Sequence, residues 1–267
     1  MNILYSSPLH LLTLFLLGSG SAFAEDQTTT FSPVTNWSGD YQINLTHHDM
    51  GAASVPTLQS FAHATYNNQW VMMAGRTNGL HSFTADGLTN FPPKYQNTKV
   101  WVVDPVTKQT WSRSISDASS GLSQTMIDGL SSTNTQFYQD NNALLVNGGY
   151  VYDSTSNNFT TYNTMSAINL PNLVDWVKGT DATLNANAVL QVEGQTANDN
   201  SYEGGFFQIT GGGLHKLDDR YHLIFGQNFE GGYTPGSNGV YSSQVRSFDL
   251  AYDFANGTIS SSNAWSR

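Results

Sequence analysis

A chain of 267 residues with 20 Asp+Glu against 10 Lys+Arg carries a formal charge of -10, and charged residues make up only 11% of it. Net negative charge without a local basic cluster repels phosphate backbones, which sets nucleic acid aside as a partner. The total absence of cysteine leaves any exported form without disulfides, so its apolar core must hold it together.

The first 24 residues read as a signal peptide. Leu9 to Leu17 form an apolar run too short to span a bilayer, and Ala22-Phe23-Ala24 supplies the small-x-small pattern of a cleavage site. The expected address is the periplasm, the cell surface or the medium. No later segment is apolar enough to cross a membrane, so no membrane span is expected. Residues 25–55 then read as a Thr/Ser-rich flexible leader with one alternating strand, Tyr41 to Thr46. Within "THHDM", Thr46 to Met50, two imidazoles and a carboxylate sit side by side. Adjacent strand residues point to opposite faces, however, and no metal site is expected there.

From residue 56 onward a hairpin recurs three times. Phe61–His81, Thr135–Asp153 and Gly212–Tyr233 each hold a short strand, a polar turn and an apolar strand ending at glycine. The turns are Asn67-Asn68, Asp140-Asn141-Asn142 and Asp218-Asp219-Arg220. The terminal glycines, taken as Gly75, Gly148 and Gly226, lie 73 and 78 residues apart. His63 and His215 occupy similar positions in their hairpins, which implies packing roles.

Each hairpin is followed by more strand pattern. In the first unit Asn97–Trp111 gives a strand, a turn at Asp104-Pro105 and a further strand. In the third, Ser247-Phe248-Asp249 takes the place of Val102-Val103-Asp104. The third strand of the second unit is Thr164 to Leu170 in preference to Tyr150 to Asp153, and a short helix follows, with Pro171 in its first turn and Gly179 past its end. Two insertions lengthen the period. One is Ser119 to Leu130, with the apolar spacing of a helical face; the other is Thr180 to Gly205, a polar loop with one strand at Ala188 to Val192.

Four strands per unit, with glycine after the second and Asp then Trp around the third, is the pattern of a propeller blade. The chain resembles kelch-type β-propellers. Through "GRTNGLH", "FPPKYQNT" with "VWVVDP", "LSSTNTQFYQDNNALLVNGGY" and "ITGGGLHKLDDRYHLIFGQNFEGGY" it resembles exported bacterial kelch-like proteins without an established activity, over Pro56 to Asp253. Where that group carries His-Ser-Tyr or His-Ser-Phe, this chain has Gln59-Ser60-Phe61. The expected fold is therefore all-β, a kelch-like propeller over 56–267 with short helical insertions. Closed propellers need at least about four blades, and three units are legible. Either Tyr41 to Thr46 and the insertions furnish a divergent fourth, or the chain is a fragment of a longer propeller, the alternative favoured here.

The resemblance locates candidate ligand-binding residues at the strand ends that face a propeller's channel. Arg76 is the first, since a guanidinium there can hold a carboxylate, although the Asn78-Gly79 turn also explains "GRTNGLH" as hairpin punctuation. His81, Asn147 and Gln227 join it from neighbouring units. Two functions follow. A binding or scaffold module would engage glycan or protein through aromatics such as Tyr150, Trp176, Phe229 and Tyr233. Alternatively, a carbohydrate-active enzyme resembling kelch-fold sialic acid mutarotases would grip a sugar acid with Arg76 and move a proton with His81 or Glu230. No phosphate loop, serine elbow or zinc helix is present, and no cofactor is expected. Without cysteine, the Cys-linked tyrosine of a copper-radical propeller enzyme is excluded.

Overall fold

Asparagine and aspartate turn the chain back on itself at three evenly spaced places, and each turn closes a hairpin. The computed structural model describes residues 48–51, 53–81, 87–196, 204–234 and 239–266; the signal peptide and the strand expected at Tyr41 to Thr46 lie outside them. The chain divides into two compact units, Met1–Asp49 and Met50–Arg267, and every described element belongs to the second.

The hairpins are β1 (Ala62–Tyr66) with β2 (Gln69–Met73), β5 (Gln136–Asp140) with β6 (Ala143–Asn147), and β11 (Gly213–Leu217) with β12 (Arg220–Ile224). Their registers, Tyr66↔Gln69, Asp140↔Ala143 and Leu217↔Arg220, leave two-residue loops. The first loop residue sits at positive φ each time: Asn67 at 48°, Asn141 at 53° and Asp218 at 54°. Asn and Asp tolerate that region better than other side chains, which is why these turns could be seen in advance.

Each hairpin grows into a four-stranded antiparallel sheet. The first adds β3 (Lys99–Asp104) and β4 (Gln109–Ser114). The second adds β9 (Thr164–Asn169) and β10 (Val189–Glu193), and the third adds β15 (Val245–Asp253) and β16 (Thr258–Ser266). Two further hairpins are inserted between second and third strands: β7 (Tyr150–Asp153) with β8 (Asn158–Thr161), and β13 (Gln227–Phe229) with β14 (Gly239–Tyr241). The class is all-β, built from small antiparallel sheets. No helix among the described residues is long and apolar enough to cross a membrane.

Register defines the repeat more sharply than spacing does. Isolated bridges Gln59↔Arg76, Thr133↔Tyr150 and Thr210↔Gln227 extend the three hairpins in the same way. Val71↔Val102 and His222↔Ser247 make Val102-Val103-Asp104 and Ser247-Phe248-Asp249 equivalent, as expected. By the same register the second glycine of the repeat is Gly149, not Gly148, so the true spacings are 74 and 77 residues. His63 and His215 are likewise not equivalent: His63 matches Phe137 and Leu214, and a one-residue slip puts the two imidazoles on opposite faces of their strands.

Packing follows the period of two along the central sheet. Every residue of β6 is buried. Leu144, Val146 and Ile168 face Ala62, Val71, Met73 and Val102 of the first sheet. On the other side, Leu145, Met165 and Ala167 face Leu214, Leu223 and Phe248 of the third. A strand covered on both faces reads as an unbroken apolar run, which is what "ALLV" is.

Two helices lie on the first of these cores. α2 (Gln124–Gly129) starts at Ser123, whose Oγ accepts from Met126 N–H at 3.3 Å. α3 (Leu170–Lys178) is capped by Asn169 Oδ1, which accepts from Asn172 N–H at 3.1 Å, and it ends at Gly179 with φ 78°. Trp176, expected among the exposed ligand-binding aromatics, is instead wholly buried here. Its Nε1–H donates to Ser119 Oγ at 3.1 Å, and the Arg113 guanidinium lies 4.8 Å above its ring. The stretch after α3, read as an insertion loop with one strand, supplies β10 as the outer strand of the second sheet. The helix separates β10 from its partner β9 in sequence and hides the pairing.

Asp140 ties the second sheet to the third: its carboxylate accepts from Lys216 Nζ at 2.9 Å and from the Tyr221 hydroxyl. Burial raises its proton affinity, but these hydrogen bonds and the Lys216 charge outweigh it and hold the carboxyl below its ordinary range. Since the folded value is depressed, the stabilisation is complete above the ordinary value of about 4 and is lost as pH falls through the folded one. Asp140→Asn is expected to cost about 2 kcal/mol at pH 7 and to flatten the acid limb of the stability curve, as read by urea unfolding from pH 7 down to 3.

Candidate functional site

The three segments that follow the second strands converge. They are the stretch after β2 with α1 (Gly87–Asn90), the β7–β8 hairpin and the β13–β14 hairpin. Phe91, Tyr150, Phe159 and Phe229 form a third apolar cluster there, with Tyr152 and Tyr233 against it. Local hydrogen bonds fix the hairpins to one another. Thr161 Oγ1 accepts from Phe229 N–H at 2.9 Å and donates to Phe229 O at 3.0 Å. The Tyr150 hydroxyl donates to Gly231 O at 2.8 Å. On the remaining side Phe91 precedes Pro92-Pro93, the start of a short 3-10 turn that holds the chain in place.

Ring geometry shows how tightly these side chains meet. Phe91 stands 4.9 Å from the His81 ring, 5.3 Å from Tyr150 and 5.4 Å from Tyr233. Tyr150 stacks on Phe159 at 5.3 Å and 13°, while Phe229 meets Tyr233 edge-on at 5.3 Å. These are the separations at which aromatic pairs attract beyond their simple burial.

Beside the cluster lies a cavity of about 280 Å³. His81, Phe91, Tyr150, Phe229 and Tyr233 give it aromatic walls, and Tyr241, 76% exposed, stands at its edge. Asn134, Thr210 and Gln227 supply the polar lining; Gln227 Oε1 itself is shut off from solvent and has no hydrogen-bond partner. No Asp, Glu, Lys or Arg of the described residues lines it. Burial pushes the Tyr150 phenol well above its usual range. It therefore stays protonated, a donor committed to Gly231 O rather than a base.

Arg76 stands on the far side of Phe91. Its side chain is almost wholly buried, 3% exposed, with Nε–H donating to Gln59 Oε1 at 2.8 Å and the guanidinium carbon 4.6 Å over the Phe91 ring. Its Nη1 has no hydrogen-bond partner, and burial holds its proton affinity below the ordinary arginine value.

Of the candidates read from sequence, the structure brings His81, Gln227 and Tyr233 into one cavity and puts Arg76 behind its wall. Tyr150 and Phe229 join them. Asn147 does not: it is fully buried in β6, where Nδ2 donates to Gln136 Oε1 at 2.9 Å and Phe207 O at 3.2 Å. Glu230 is exposed, on a backbone bridge with Thr160 and outside the cavity lining. Phe91, Asn134, Thr210 and Tyr241 were not among the expected residues. One signal was present: Arg76, Tyr150 and Gln227 occupy the same register position in the three units, each directly after a glycine, and Thr210 is the bridge partner of Gln227. Of the "THHDM" stretch only His48, Asp49 and Met50 are described, and no group of three His, Cys, Asp or Glu that could hold a metal occurs among the described residues.

Fold and cavity together define a repeat-built all-β protein with an aromatic-walled pocket. No protein-family model matches the chain, and no curated protein does so.

Proposed function

We propose that this chain is an exported β-propeller of kelch type, its three four-stranded sheets being successive blades, and that it acts as a binding module for neutral glycan. The blade reading is supported by a repeated packing relation. Val71 and Leu145 hold the same register position, and each faces the next sheet. The first strands β1, β5 and β11 also contact one another in that order. Export rests on the apolar run Leu9 to Leu17 and on Ala22-Phe23-Ala24.

The observation that carries the binding function is the chemistry of the 280 Å³ cavity. A pyranose ring presents an apolar C–H face and a rim of hydroxyls. Aromatic faces attract the first through their negative π-clouds, while amides and hydroxyls pair with the second. Tyr233, Phe229 and Phe91 match the C–H face; Gln227, Asn134 and Thr210 match the hydroxyls.

Titration of the full chain with a panel of neutral and acidic oligosaccharides, followed by calorimetry, tests this. Saturable binding of a neutral sugar is expected, with Tyr233→Ala lowering affinity about tenfold, or about 1.4 kcal/mol, beside a modest fall in unfolding midpoint from the lost ring contacts. Binding restricted to sugar acids, with anomer interconversion seen by polarimetry, would overturn it in favour of a mutarotase or epimerase using Arg76, His81 and Glu230.

A further inference from the structure

The β13–β14 hairpin turns one face to the cavity. Gln227 lies opposite Tyr241, and Phe229 opposite Gly239; residues opposite one another, or two apart along a strand, share a face. All four line the cavity, whereas Asn228 and Val240, which alternate with them, do not. On its other side Gln227 is bridged to Thr210. A row of side chains therefore runs Thr210, Gln227, Tyr241 across three stretches of chain. Exposure rises along it, from 1% at Thr210 through a half-buried Gln227 to 76% at Tyr241. The row leads from the inside of the cavity out to water.

The two rings of this face stand in opposite surroundings. Phe229 is 7% exposed, and its ring lies on the Gly239 backbone: a Cβ at Gly239 would stand 2.4 Å from Phe229 Cε1 and 2.6 Å from Cζ. A cross-strand aromatic covers the strand that a glycine leaves bare, so Phe229 is a fixed part of the inner wall. Tyr241 sits one row along, about 7 Å away by strand geometry. It keeps most of its surface in water and adds little to any core, yet it borders the cavity.

We propose that Tyr241 is an outer sugar contact, and that the ligand is therefore an oligosaccharide rather than a single sugar. One ring sits inside against Phe229, Tyr233 and Phe91; the next lies on the Tyr241 ring at the rim. This deepens the glycan reading and rests on it. A monosaccharide held by the inner walls gains nothing from Tyr241. A longer chain carries a second apolar C–H face out along the row, where the phenol ring offers its negative π-cloud and loses exposed apolar surface on contact.

Calorimetry on the full chain tests this with glucose, galactose, mannose and N-acetylglucosamine, each beside the di- and trisaccharide built from it. For the sugar that binds, the disaccharide is expected to bind about tenfold more tightly than the single unit. Tyr241→Ala should remove that gain and leave the affinity for the single unit unchanged, while Tyr241→Phe, which keeps the π-face, should retain it. Both variants should unfold within about 2 °C of the unaltered chain, since the side chain is exposed. Equal affinity for one unit and two, or a loss in Tyr241→Ala that is the same for both, would overturn the outer contact and leave neutral-sugar binding standing. Absence of binding by every sugar would overturn the glycan reading itself, and the outer contact with it.

Discussion

Gly148→Ala is expected to cost about 3 kcal/mol or more in unfolding free energy. Gly148 closes β6 at φ 56°, and a Cβ there would stand 2.1 Å from Ile209 O and 2.8 Å from Phe207 O, both backbone atoms that cannot swing aside. Positive φ alone costs an alanine about 1–2 kcal/mol, and overpacking a filled site adds roughly 1–3 kcal/mol. The two other units separate these terms. Ala74 at φ 60° and Phe225 at φ 55° hold the same register position and carry side chains, so this backbone shape by itself is tolerated. What differs at Gly148 is the chain of residues 207–209 crossing over it, where Gly149 N–H donates to Ile209 O at 2.9 Å. Ala74→Gly should therefore stay within about 1 kcal/mol of the starting chain. Urea unfolding of both variants checks the pair, and equal losses would mean that the crossing segment bends away.

The contrast between Gly148 and Gly149 also explains what the sequence could and could not reveal. Hairpin turns are local, and Asn67-Asn68, Asn141-Asn142 and Asp218-Asp219 announce themselves by residue type. Two adjacent glycines give no local sign of which one matches Gly75. Aligning on the wrong one shifts the second unit by a residue and reverses every face. Asn147, which precedes that glycine pair, is a buried partner of Gln136 and does not hold the position of Arg76 and Gln227, which falls to Tyr150. Similarly, Tyr150–Asp153 and Thr164–Asn169 both alternate well enough for strands. Only long-range pairing separates them, β9 joining β6 while β7 joins β8. Phe91 and Tyr241 escaped for a related reason: their rings matter because three insertions converge, and convergence leaves no periodicity in any one of them.

Phe91 is the side chain on which the site depends most, because it walls the cavity on one side and meets the Arg76 guanidinium on the other. Phe91→Ala is expected to cost about 3 kcal/mol, the low end for a phenylalanine that retains 9% exposure, and to open the cavity towards Arg76. Such a variant loses wall, cation–π contact and packing together, so Phe91→Leu is the sharper instrument. Leucine restores most of the volume but not the π-face against Arg76 or the ring edges towards Tyr150 and Tyr233. Its stability should fall by only about 1–1.5 kcal/mol. If neutral sugar is held by aromatic faces, its affinity for Phe91→Leu drops about tenfold, or about 1.4 kcal/mol, well out of proportion to the small change in packing. Calorimetry on the leucine variant that instead returned the affinity of the unaltered chain would make Phe91 a filler. Recognition would then pass to Tyr233 and Phe229, whose rings reach the same cavity without touching Arg76.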